Sequence, residues 1–178
     1  MKKNLALLFL IIFTHTFASA QSDSCDIFIP EICASHSLFS YPASTSGTAW
    51  APFGTYYTCP SIGQVTMNPS FFFFEIGATG DFSMTIDPIN PLTGGILTAP
   101  SDLDYVCWGP FNSANACTQL QGQNQFSCSG SPNASETLTI PGAVAGEFYV
   151  LLVSNYANPT TGNPPPDANI EFTASTSA

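Results

Sequence analysis

Asp102 and Asp104 stand two residues apart at the start of an apolar run, Leu103 to Trp108. Side chains alternate along an extended chain, so both carboxylates fall on one face. Like charges placed this way repel unless a cation or hydrogen bonds compensate. Compensating side chains are scarce, because the 2 Lys+Arg of the chain are Lys2 and Lys3, against 12 Asp+Glu. Ca2+ prefers hard oxygen ligands and suits such a pair, with Glu136 and Asp81 as further carboxylates to complete its shell. The competing reading has Asp102 and Asp104 accepting backbone N–H groups in a turn, a common use of Asp. Beyond Ca2+ no cofactor is expected.

The thiols come next. Cys25, Cys33, Cys59, Cys107, Cys117 and Cys128 are an even set with no close Cys-x-x-Cys pair. In an exported chain of this length they read as a disulfide framework rather than a metal site. Of the 15 pairings that six cysteines allow, Cys117 with Cys128 is the first expectation and Cys33 with Cys59 the second. A hydrolase would need more than the sequence offers. His36, the one histidine beyond the first twenty residues, has only Ser35 and Ser37 as neighbours, and sequence adjacency does not build a triad with an oxyanion hole. A secreted hydrolase is therefore the reading with least support. Flat rings on loops are a further candidate for sugar or polymer binding. Trp50, Phe53, Tyr56 and Tyr57 lie in a Gly/Pro-punctuated segment and Tyr156 lies in another, although rings in such places also plug sandwich cores.

Export is read from the N-terminus. Lys2-Lys3, the apolar stretch Leu5 to Phe13 and Ala18-Ser19-Ala20 follow the order of a cleavable secretory signal. The apolar stretch falls short of the ~20 residues needed to cross a bilayer. Residues 1–20 are thus expected to be removed, leaving a single domain from 21 to 178. Cleavage takes the formal net charge from −10 to −12, since two positive charges leave and no acid does. A surface without cationic side chains cannot neutralise phosphates, which excludes nucleic acid and anionic membranes as electrostatic partners. Ion pairs cannot hold the fold, which leaves burial and disulfides. With 44% hydrophobic residues and 15 Phe there is ample material for a core, despite 15 Pro and 13 Gly.

Helical periodicity is absent from the remaining chain, and short β-type runs recur between turn residues. These are Phe71 to Ile76, Asp81 to Ile86, Leu103 to Trp108, Glu136 to Ile140, Glu147 to Val153 and Asn169 to Ala174. Glu147 to Val153 is the most apolar and is expected at the centre of a sheet. Such spacing predicts an all-β antiparallel sandwich. Asn112 to Ala134 is a polar excursion, expected to be pinned by Cys117 and Cys128. Asn158 to Asp167, with four prolines, reads as a stiff exposed turn.

Several motifs also resemble a known family. They are Asp102-Leu103-Asp104-Tyr105-Val106, Cys107-Trp108-Gly109-Pro110-Phe111, Phe126-Ser127-Cys128-Ser129, Glu136-Thr137-Leu138-Thr139-Ile140-Pro141 and Gly146 to Tyr156. In this order the chain is similar to bacterial pre-peptidase C-terminal domains. It is also similar to their relatives at the N-termini of large Bacteroidota surface proteins linked to gliding motility. Tyr41-Pro42 and Asn68-Pro69 extend the likeness upstream. The resemblance implies a jelly-roll sandwich and a non-catalytic accessory role on secreted or cell-surface proteins. Relatives often carry a cysteine where this chain has Leu138, which leaves Cys107 as the thiol whose pairing must differ.

The function expected from these readings is a secreted or cell-surface non-catalytic module for structural association or adhesion. Its partners would be a second copy, a surface protein or a polysaccharide, with a lectin-like carbohydrate-binding domain as the alternative. The charge count makes one prediction of its own. Without residues 1–20 no peptide bond follows Lys or Arg, so trypsin leaves the reduced, denatured protein intact while chymotrypsin cuts near Phe71 and Phe148. Tryptic fragments from within residues 21–178 would contradict it.

Overall fold

The computed structural model describes residues 25, 32, 39–43, 49–50, 66–98, 101–113, 116–155 and 167–176. The proposed leader 1–20, His36, Cys33, Cys59, Tyr56, Tyr57, Tyr156 and the Pro-rich turn before Asp167 lie outside them. Ten strands follow one another: β1 (Phe39–Pro42), β2 (Ala49–Trp50), β3 (Thr66–Met67), β4 (Pro69–Glu75), β5 (Gly80–Ile89), β6 (Leu103–Phe111), β7 (Gln125–Ser129), β8 (Glu136–Ala143), β9 (Phe148–Asn155) and β10 (Asn169–Thr176). Among the described residues the only helical segments are two 3-10 turns at Cys117–Gln119 and Gly122–Asn124.

β2 and β3 pair only with each other. The other eight strands form two antiparallel sheets, ordered β1-β10-β5-β8 and β4-β9-β6-β7. Their logic is a long hairpin rolled up on itself. The first strand pairs with the last, β1 with β10. Inside that pair come β4 with β9, then β5 with β8, and at the tip β6 with β7. Two further pairings, β10 with β5 and β9 with β6, join the nested hairpins into sheets. This is the jelly-roll arrangement, and the expected all-β sandwich is what the chain forms.

The alternation seen in the sequence decides which side chains face inward. In β5, Phe82, Met84 and Ile86 are buried while Ser83, Thr85 and Asp87 are partly exposed. In β8, Leu138 and Ile140 are buried and Thr137 and Thr139 exposed. The sheet containing β5 and β8 therefore has one dry face and one wet face. The second sheet differs. β9 runs buried from Tyr149 to Asn155, and lies between β4 and β6 as its apolar run predicts. Its inward residues Tyr149, Leu151 and Val153 join the core between the sheets. Its outward residues Val150 and Leu152 join a second core with Phe71, Val106, Trp108 and Phe111.

That outer core needs a cover, and the polar excursion supplies it. Ala116 and Leu120 are buried against the outer face, and Cys117 is bonded to Cys25 across a separation of 92 residues. The expected Cys117–Cys128 bond is therefore not formed. A bond between those two would only close the excursion on itself, whereas Cys25–Cys117 ties Cys25 to the excursion against one apolar face. Closing a loop of this length is worth about 4–5 kcal/mol by chain entropy. Cys128 is disulfide-bonded as well. The second expected bond, Cys33–Cys59, lies outside the described residues. The excursion also contains a strand that composition did not reveal, β7, paired to β6.

β6 shows why its motif reads Cys-Trp-Gly-Pro-Phe. Its pairing with β9 shifts between Trp108 and Phe111, and Gly109 sits there at φ 141 with a cis bond to Pro110. A Cβ on Gly109 would lie 2.6 Å from Tyr149 Cδ1 and 2.9 Å from the Phe148 carbonyl oxygen, so no larger residue fits. Two residues earlier, Cys107 is a free thiol, fully buried in the inner core with Leu138, and burial pushes its pKa up strongly. The expectation that all six cysteines pair is thereby corrected: Leu138 offers no sulfur, and the inner core encloses Cys107. Cys107 is accordingly expected to resist alkylation in the native protein and to react once the chain is unfolded without reductant. Rapid labelling of Cys107 in the folded state would contradict its burial.

Candidate functional site

Seven polar side chains are buried among the described residues: Asn68, Ser70, Ser101, Asp104, Glu136, Ser154 and Asn155. They gather toward one end of the sandwich. Leu103 stands opposite Asn155 and Asp104 opposite Ser154. Asn68, at φ 48 before β4, donates its side-chain N–H to the Asn155 carbonyl at 3.0 Å. Where β4 begins and β9 ends, the backbone is thus tied by a side chain that tolerates the left-handed region.

The ionisable part of this end lies where β6 and β8 begin. Asp104 is 5% exposed and Glu136 is 7% exposed. Glu136 accepts hydrogen bonds from the Ser129 hydroxyl and the Ser131 backbone N–H. Its Oε1 is nonetheless buried without a partner, as are Asp102 Oδ1 and Ser101 Oγ. The turn reading, in which the Asp side chains are satisfied by backbone N–H groups, does not hold for that oxygen of Asp102. Nearby, the Tyr105 hydroxyl donates to the Thr137 carbonyl at 3.1 Å and lies 3.1 Å from Ser127 Oγ.

Electrostatics follows from burial and from like charges. Burial raises the pKa of Asp102. Burial, and then the neighbouring charges of Asp102 and Glu136, push Asp104 up to about 7. Glu136 is raised mainly by burial, with the Asp102 charge adding and its hydrogen bonds opposing. The structure therefore brings together three of the four carboxylates singled out from the sequence.

Asp81, the fourth, is a correction. Its Oδ1 accepts the Gly142 N–H at 2.8 Å, and Gly142 lies at the opposite end of β8 from Glu136. At about 3.3 Å per strand residue that places the two carboxylates roughly 20 Å apart. Asp81 instead accepts this N–H at the register shift between β5 and β8. Ser101 is the group that sequence reading missed, because one hydroxyl among many carries no signal until its burial is known. Among the described residues no three His, Cys, Asp or Glu side chains are arranged to hold a metal ion by themselves. Of the aromatic candidates, Trp50 is placed only by its backbone in β2, opposite Thr66.

The fold and this site define an antiparallel jelly-roll β-sandwich with a carboxylate cluster at one end. No family model matches the chain, and no curated protein matches it. Among solved structures it is similar to the pre-peptidase C-terminal domain of a collagenase from Bacillus anthracis. Identity is 9%, with 82% of this chain and 93% of that one covered and a TM-score of 0.40. It is also similar to CorA, a surface-associated copper-binding protein of Methylomicrobium album BG8, at 6% identity over 83% and 97% of the chains with a TM-score of 0.46. A third similarity is to CBM35 from Paenibacillus barcinonensis, at 18% identity over 78% and 99% of the chains with a TM-score of 0.27.

The raised carboxylates fix the direction of the pH response. A carboxyl whose folded pKa lies above its unfolded value binds its proton more tightly when folded. The stability it contributes is full below the unfolded value of 3.8 and is lost as pH rises through about 7. In chelator, the melting temperature is expected to fall between about pH 4 and about pH 8, and Asp104→Asn should flatten that fall. A wild-type protein that loses stability on acidification toward pH 4 would contradict this.

Proposed function

We propose that this chain is an exported, non-catalytic β-sandwich module that works by association at the cell surface or outside the cell, as a structural or adhesive unit. The observation that carries the reading is the edge formed by β8. Among the described residues β8 pairs only with β5, and no charged residue occurs from Thr137 to Gly146. Natural sheets usually blunt such edges with charge, bulges or proline. Here the devices are confined to the end of the strand, Pro141 and the register shift that sets Pro141 and Gly142 against Asp81, and Thr137 to Ile140 have none. The inward residues Leu138 and Ile140 are fixed in the core, so the strand is held rigid for an added strand to pair with.

Apolar surface lies beside that edge. Val144 is 48% exposed and Phe126 is 39% exposed. They are joined through one carboxylate: Glu147 Oε2 accepts from Val144 N at 2.9 Å and from the Tyr149 hydroxyl at 3.1 Å. The Phe126 ring meets the Tyr149 ring edge-on at 5.7 Å. An uncharged strand edge with apolar side chains next to it is the kind of surface that takes a protein partner. Export rests on the leader-like residues 1–20 and on the disulfides, which persist in oxidising compartments.

The test is the molar mass in solution of the mature protein, with and without Thr137→Lys/Thr139→Lys on the β8 edge. Self-association that strengthens with salt, as screening relieves the acidic repulsion, and that the lysine pair abolishes, is the expected result. A monomer retained on polysaccharide and unaffected by the lysine pair would replace this reading with the carbohydrate-binding one.

A further inference from the structure

We propose that Ser101 Oγ, Asp102 Oδ1 and Glu136 Oε1 are ligands of a hard divalent cation, Ca2+, where β6 and β8 begin. All three oxygens are buried and have no hydrogen-bond partner. Leaving a buried polar group unpaired costs about 1–3 kcal/mol, and more for a charged one. Three such oxygens from residues that adjoin or interact electrostatically therefore call for a common partner. No Lys or Arg side chain can fill that role, since none occurs after Lys3. Asp104, in electrostatic contact with both carboxylates, adds negative charge behind them.

The donor chemistry selects the ion. Zinc and copper favour imidazole and thiolate ligands, and the free described thiol, Cys107, is enclosed in the core. Mg2+ demands near-octahedral geometry and sheds water reluctantly, whereas Ca2+ accepts six to eight oxygens in irregular arrangements. Among the described residues no three His, Cys, Asp or Glu side chains group to hold a metal ion, and the proposed site accordingly draws on a hydroxyl as well. Two carboxylates and a hydroxyl supply side-chain oxygens, and backbone carbonyls or water complete the shell. Ser101 thus enters the set expected from sequence, Asp81 leaves it, and Asp104 stands behind it. The proposal does not depend on which partner the β8 edge takes. With only two charged ligands the affinity belongs in the range of extracellular modules, about 0.1–1 mM.

Calorimetric titration of CaCl2 into the chelator-treated protein should give saturable one-site binding, and the melting temperature should rise with Ca2+ concentration as mass action requires. Asp102→Asn and Ser101→Ala should each weaken binding by about tenfold or more, and Asp81→Asn should leave it unchanged. Ser101→Ala removes only a hydroxyl, so it keeps the test decisive if a carboxylate variant fails to fold. Absence of saturable heat would overturn the proposal. So would equal Ca2+ responses in wild type, Ser101→Ala and Asp102→Asn, because a uniform response is general screening of an acidic surface.

Discussion

The structure depends on one sheet being dry on both sides. β4, β9 and β6 carry large apolar residues toward the core between the sheets and away from it as well. A jelly roll supplies cover for only one of those faces. Exposing Phe71, Trp108, Val150 and Leu152 together would forgo about 1.5–3 kcal/mol for each large side chain. The segment after β6 therefore folds back over the outer face, with Ala116 and Leu120 beneath it. The disulfide from Cys25 holds it there against its own entropy.

The absence of cations shapes the rest. A chain whose only two Lys+Arg are Lys2 and Lys3 has no Lys or Arg among its described residues with which to position its carboxylates. Its acids are used in other ways. Asp81 and Glu147 accept backbone N–H groups at the β8–β9 turn, where water reaches them. Asp102, Asp104 and Glu136 are instead crowded at the other end of the sandwich, where burial raises all three and neighbouring charge adds to the rise for Asp104 and Glu136. Buried like charges are costly to keep.

The nesting of hairpins has its own consequence. The outermost pair joins Phe39 to Phe172 and the innermost joins β6 to β7, so most stabilising contacts span long stretches of chain. Loop closure must precede such contacts, which makes folding slow relative to helical proteins of this size. The Cys25–Cys117 disulfide, spanning 92 residues, narrows that search once it has formed.

Much of this was legible in the residues themselves. Alternation in β5, β8 and β10 marked one wet and one dry face because side chains in a strand point to opposite sides. The unbroken apolar run of β9 marked a central strand for the complementary reason. Composition established that salt bridges could not hold the fold. It could not say where the cysteines meet, since pairing depends on which loop covers which face. β7 stayed hidden within Asn, Gln and Ser because its strand character comes from pairing with β6, and Asp81 looked equivalent to Glu136 although they lie at opposite ends of β8. Sequence alone determined which residues carry carboxylates; their raised pKa values come from tertiary burial and neighbouring charge. Which of them cluster was decided by strand pairing, because pairing places residues far apart in the chain within reach of one field, and burial there distinguishes the Ser101 hydroxyl from its many exposed counterparts.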